Sequence, residues 1–141
     1  MERKVNKTIV LVAIIAIIIN IFFFQFWNVS GSSMYPTLKD GNILLMKKIS
    51  NTYNRMDIVV IHHSGKLLIK RVIGLPGETI KIEDNKIIIN GEPIEDVVDC
   101  STTPGIAANE IYLQECEYFV LGDNRENSAD SRSEDIGVIS E

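Results

Sequence analysis

From Ile9 to Phe24 the chain reads IVLVAIIAIIINIFFF, apolar at every position except Asn20 and without a charge. Extended to Thr8 and Trp27 the run has 20 residues, enough to cross a hydrocarbon core as a helix. Trp27 ends it where an amphipathic ring favours the headgroup level. A buried core helix that is hydrophobic all round would need more cover than so small a domain supplies. A cleavable leader would have a shorter apolar core followed by small residues, whereas Phe23, Phe24, Phe26 and Trp27 follow here. The pattern predicts an uncleaved anchor within residues 1–28.

After Trp27 the period changes. Short β-branched runs at Ile43–Met46, Asp57–Ile61, Leu67–Ile73, Thr79–Ile82, Lys86–Ile89 and Tyr118–Leu121 alternate with turn signals. The turns are Lys39-Asp40-Gly41-Asn42, Ser64-Gly65, Leu75-Pro76-Gly77 and Asn90-Gly91, and Glu83-Asp84-Asn85 reads as a hairpin loop. Residues 100–115 (CSTTPGIAANEIYLQE) are the least regular and are expected to form a surface excursion. The fold class expected is mostly β: an N-terminal transmembrane helix, then one antiparallel β-rich domain over residues 29–141.

Charge sharpens this division. Arg3, Lys4 and Lys7 against Glu2 leave the first 27 residues at +2, so the remainder carries −7 of a formal net charge of −5. An acidic domain repels phosphate backbones, which argues against nucleic acid as a partner. The basic N-terminal tip favours the cytoplasmic side, which puts the rest of the chain outside a single-pass cell-membrane anchor. In that compartment Cys100 and Cys116 are candidates for a disulfide, although the sequence alone leaves the pairing open.

Three segments carry candidate chemistry. Ser30-Gly31-Ser32-Ser33-Met34-Tyr35-Pro36-Thr37-Leu38 follows the anchor and by itself reads as a loop. Lys70 lies within an apolar strand run, Leu68-Ile69-Lys70-Arg71-Val72-Ile73-Gly74-Leu75-Pro76-Gly77-Glu78. Facing solvent it would be an ordinary strand lysine; buried, it would lose stability as an ammonium and become a base. At the ordinary lysine pKa only roughly one amine in a few thousand is neutral at pH 7, and holding it neutral means offsetting about 4.6 kcal/mol. A neutral amine beside a serine hydroxyl makes a nucleophile–base pair. Gly122-Asp123-Asn124-Arg125-Glu126-Asn127-Ser128-Ala129-Asp130-Ser131-Arg132, taken alone, would be a surface ion-pair turn.

Taken together and in this order, the segments resemble the type I signal peptidases. The S-M-x-P-T-L box matches at Ser33–Leu38, K-R-V-I-G-L-P-G-[DE] at Lys70–Glu78, and G-D-N-R-x-x-S-x-D-S-R at Gly122–Arg132. Asp57-Ile58-Val59-Val60 resembles the strand box between the first two, with Met56 where glycine is usual. The resemblance implies a signal-peptidase/LexA-like catalytic fold with Ser33 as nucleophile and Lys70 as general base. Ser128 would orient Lys70, and Asp130 with Arg132 would form a supporting ion pair, Asp123 and Arg125 shaping the same turn. Gly31 would stand at the second oxyanion-donor position, as in Gram-positive-type members, so that a side-chain hydroxyl is missing there.

It further implies an endopeptidase that cuts signal peptides from exported preproteins after small residues at −1 and −3, through an acyl-enzyme. Its partners would be those signal peptides and membrane lipid, with no metal and no cofactor. Family members generally continue through another strand, so a C-terminally truncated form is expected. His62-His63 could serve a Ser–His mechanism only with an orienting carboxylate. A LexA-like repressor would carry a DNA-binding module in place of the apolar span. A non-catalytic anchored binder would be expected to have lost Ser33, Lys70 or Ser128, and all three are present.

Overall fold

The computed structural model describes residues 7–48, 52–98 and 103–140. Helix α1 (Lys7–Phe23) runs into β1 (Phe24–Asn28), followed by β2 (Ile43–Lys47), β3 (Ile58–His63), β4 (Lys66–Gly74), β5 (Thr79–Glu83) and β6 (Lys86–Ile89). Next come β7 (Glu92–Pro93), a 3-10 turn (Gly105–Ala108), β8 (Ile111–Tyr112), β9 (Glu117–Leu121) and β10 (Ile139–Ser140). The antiparallel β character expected from the sequence is observed.

The helix is shorter than the apolar run. Phe24–Asn28, rich in aromatic residues that favour strands, pairs with β2 in the register Phe24↔Lys47 to Asn28↔Ile43. Among the described residues no helix is long and apolar enough to cross a membrane. The helical reading of Thr8–Trp27 therefore holds only as far as Phe23, because β2 supplies backbone partners to the residues that follow.

Two four-stranded sheets make the domain, in the orders β10-β9-β4-β3 and β7-β6-β5-β8. Three of the hairpins close on two residues. Ser64-Gly65, Asp84-Asn85 and Asn90-Gly91 all have positive φ, which suits the twist of the strands they join. Glu83 accordingly belongs to β5 rather than to a loop.

Alternation explains where the core lies. Ile80 and Ile82 of β5 and Ile87 and Ile89 of β6 turn inward with Ile73, Phe119 and Leu121, whereas Lys81 and Lys86 do not. On the other face of the β4–β9 sheet, Val72, Tyr118 and Val120 pack with Ile61. With apolar clusters on both faces, Val72–Ile73 of β4 and Tyr118–Leu121 of β9 are apolar at successive positions.

The stretch expected to be a surface excursion is mostly exposed among the described residues, but two of its side chains anchor it in this core. Ala107 and Leu113 are fully buried in it. Gly105 sits so close to Arg132 that a Cβ would lie 2.1 Å from its carbonyl oxygen, and Ile106 N–H donates to that same oxygen at 3.0 Å. Cys116 is exposed, and Cys100, its candidate partner, lies outside the described residues. Leu113→Ala should lower stability by about 2–5 kcal/mol, the usual cost of a cavity at a fully buried leucine. A urea midpoint unchanged from wild type would show that 103–115 is not part of the cooperative core.

Candidate active site

Alternation along β4 puts Lys70 on the same face as Leu68 and Val72, and Arg71 on the opposite face with Ile73. Lys70 is only 2% exposed. Its amine lies 2.9 Å from Ser33 Oγ, in hydrogen-bond contact, although 37 positions separate the two residues. Burial pushes the Lys70 amine below its ordinary value, with Asp130 opposing that shift and Arg132 adding to it. An amine shifted this way reaches its neutral form at lower pH, as a general base next to a hydroxyl requires.

Asp130 and Arg132 form a two-point ion pair at 2.8 and 2.9 Å, both buried. Asp130 also accepts from Gly122 N–H at 3.0 Å. Its charge raises the Lys70 pKa, but less than burial lowers it and with Arg132 opposing it. Ser128 Oγ is sealed from solvent and has no hydrogen-bond partner among the described residues. The bond from Ser128 to Lys70 implied by the resemblance is therefore not formed in this arrangement. What brings Ser128 to the site is Gly122. A Cβ there would come within 2.1 Å of Ser128 Oγ and 2.5 Å of the Ser33 carbonyl oxygen, so no larger residue fits.

Gly31 has φ +91 and donates its N–H to Asp40 at 2.8 Å. Ser33 N–H makes no hydrogen bond among the described residues. Of the Gly31 and Ser33 backbone donors, that of Ser33 alone is uncommitted among the described residues. His62 is exposed, and His63 Nε2 meets the Asp135 carbonyl at 3.1 Å rather than a carboxylate, so neither has the partner a Ser–His pair needs. Among the described residues no group of three His, Cys, Asp or Glu is placed to hold a metal ion.

Several contacts were beyond sequence reasoning. Arg71 grips Asp123 through two bonds of 2.8 and 2.6 Å and also donates to the Met56 carbonyl at 2.8 Å. Burial works to raise the Asp123 carboxyl, but bonds from Arg71 and Thr37 and the charges of Arg71 and Arg125 hold it below its usual range. Arg125, buried, pairs with Asp96 and donates to the Gly122 carbonyl. Met56 has φ +73, which accounts physically for the usual glycine at that place. The resemblance pointed to the Asp130–Arg132 pair; the partners of Arg71 and Arg125 had no signal in the sequence.

A cleft of about 200 Å³ opens beside the pair, lined by Trp27, Val29, Ser33, Met34, Leu68 and Lys70 among others. On its β9 side, β4 is paired only from Arg71 onward, so the edge from Lys66 to Lys70 is open there.

The chain matches the family model described as signal peptidase, peptidase S26, over residues 2–141. It is 39% identical to signal peptidase I U of Bacillus subtilis over 99% of this chain and 83% of that protein. It is 35% identical to a signal peptidase I of Bacillus amyloliquefaciens over 99% and 82%. Its structure resembles the crystal structure of a signal peptidase I from Enterococcus faecalis, with a TM-score of 0.52 and 29% identity, covering 64% of this chain and 91% of that one.

Asp123→Ala should cost about 3–5 kcal/mol in urea unfolding, because it strands the buried Arg71 guanidinium. Since the folded Asp123 pKa is depressed, its stabilisation is present above the ordinary carboxylate range and is lost as pH falls through the folded value. Wild type should lose this contribution in acid; an identical acid dependence in Asp123→Ala would refute the assignment.

Proposed function

This chain belongs to the signal peptidases of peptidase family S26, and we propose that Ser33 and Lys70 carry out its removal of signal peptides from preproteins. The observation that carries the assignment is the 2.9 Å contact between Lys70 Nζ and Ser33 Oγ, made by an amine withdrawn from water.

Neutral Lys70 takes the Ser33 hydroxyl proton as Oγ attacks the scissile carbonyl carbon. The carbonyl oxygen becomes an oxyanion facing the uncommitted Ser33 N–H. When the C–N bond breaks, the Lys70 ammonium gives its proton to the leaving amine. Water then attacks the acyl ester, Lys70 takes its proton, and that proton returns to Ser33 as the signal-peptide carboxylate leaves. Ser128 is the orienting group: its buried Oγ is free to accept an N–H as Lys70 turns between these steps. Asp130 and Arg132 fix the loop that holds it. Because the Gly31 N–H is given to Asp40, the second oxyanion donor is not Gly31 in this arrangement.

The open edge of β4 beside Ser33 suits an extended peptide added as a strand, with alternate side chains turned into the cleft. A cleft this small favours small side chains next to the scissile bond.

Residues 1–28 anchor the enzyme in a membrane, and residues 29–141 are its catalytic domain on the outer side. Support comes from the 17 residues of α1, about 25 Å of helix, with Ile9, Leu11, Val12, Ile18 and Phe22 all exposed. The apolar run continues through Phe24, Phe26 and Trp27, and the basic residues lie at its start. Substrates tethered in the same bilayer meet such a site at raised effective concentration.

Detergent-solubilised protein should cut a preprotein bearing an Ala-x-Ala site, and Ser33→Ala or Lys70→Met should not; persistent cleavage in either variant would overturn the pair. The rate should rise with pH as Lys70 loses its proton and fall in acid, at a midpoint below 10.5. Because the unfolded chain holds the Lys70 proton to higher pH than the folded one, Lys70 also makes stability rise with pH between its lowered value and 10.5. Lys70→Met should abolish that rise; a variant that keeps it would show that Lys70 is not the group responsible.

A further inference from the structure

Asn124 makes two contacts that bracket the proposed nucleophile. Its side-chain amide donates to the Ser32 carbonyl at 3.0 Å, and its backbone N–H donates to the Ser33 carbonyl at 2.9 Å. The Ser32 carbonyl also accepts from Tyr35 N–H at 3.0 Å. These two carbonyls belong to the two peptide planes on either side of the Ser33 Cα. One residue, 91 positions away in the chain, thus fixes both planes that set the Ser33 backbone dihedrals.

The first contact has a further consequence. In a trans peptide the C=O of one residue and the N–H of the next point in opposite directions. Holding the Ser32 oxygen toward the 122–128 loop therefore aims the Ser33 N–H away from that loop. That N–H makes no hydrogen bond among the described residues.

We infer that Asn124 is a positioning residue for the oxyanion-binding N–H of Ser33, acting through the Ser32 carbonyl; this rests on Ser33 being the nucleophile. Asn124 touches neither the substrate nor the reacting atoms. It keeps a donor aimed where negative charge develops, so no reorientation is needed during reaction. Ser32, which has no role in the chemistry, contributes its carbonyl as the handle. Its hydroxyl accepts a weaker bond of 3.3 Å from Asn127.

The test compares wild type, Asn124→Ala, Asn124→Asp and Ser33→Ala as full chains in detergent. The Asp variant keeps the side chain's size and the backbone N–H but puts a carboxylate in place of the donor. Two probes are used: a cleavable Ala-x-Ala peptide, and a peptide aldehyde of the same sequence, whose Ser33 hemiacetal mimics the tetrahedral intermediate. Both Asn124 variants should lose about 10- to 100-fold in kcat, part of what deleting an oxyanion donor costs, with KM changed by no more than about twofold. Aldehyde affinity should weaken by the same factor as kcat. In Asn124→Ala the pH midpoint should stay at the wild-type value, since Lys70 is untouched.

Wild-type kcat in Asn124→Ala, or a loss confined to KM with aldehyde affinity unchanged, would overturn the inference. So would an Asp variant that folds and cleaves normally, even if the Ala variant failed to fold. If Ser33→Ala still cleaves, the Ser/Lys assignment itself has failed; if it is inert while both Asn124 variants behave as wild type, only the role of Asn124 has.

Discussion

An ammonium group is most stable in water, and the structure is arranged around denying water to one. Lys70 projects from β4 on the face it shares with Leu68 and Val72, where, among the described residues, only Ser33 Oγ and the field of nearby charges replace its hydration. A carboxylate paired directly with the amine would restore the charged form and silence it as a base. The nearest acidic influence, Asp130, is already shared between Arg132 and Gly122 N–H. The ion pair beside the site is therefore an electrostatic compromise: it holds the loop while adding little net charge.

The same pairing of charges recurs outward from the site. Arg71, next to Lys70 but on the other face of β4, is locked to Asp123, and Arg125 is locked to Asp96. Pairs buried this completely seldom add much net stability over apolar packing. Their effect here is to fix direction. Asp123 ties the start of the 122–132 loop to β4, Asp130 ties its end back to Gly122 at its start, and Gly122 and Asn124 hold it against Ser32 and Ser33. The proposed nucleophile sits on a turn after β1 and the proposed base on a strand, and this loop braces both.

The irregular segment before β9 serves the same arrangement from behind. Its 3-10 turn packs Ala107 into the main core and meets the Arg132 carbonyl through Ile106 N–H. Disturbance there would reach the site through the backbone of Arg132, without touching Ser33 or Lys70.

The two local periods, and the motifs laid over them, are legible in the chain itself. The six β-branched runs became strands because alternation and two-residue turns are short-range constraints that a sequence states outright. The resemblance of three ordered boxes pointed to Ser33, Lys70, Asp130 and Arg132, and the last two do form their ion pair. Hidden were the long-range choices. Residues 24–28 read as the end of a helix until β2 offered them backbone partners. Residues 103–115 read as surface and are mostly exposed, but the burial of Ala107 and Leu113 was hidden because two residues are too few to show a period. Burial of Lys70, the pairing of Arg71 with Asp123, and the grip of Asn124 on the backbone of Ser32 and Ser33 depend on which strands become neighbours. Only the tertiary structure decides that, because each of these energies comes from removing water between residues tens of positions apart, a quantity with no local signature in the chain.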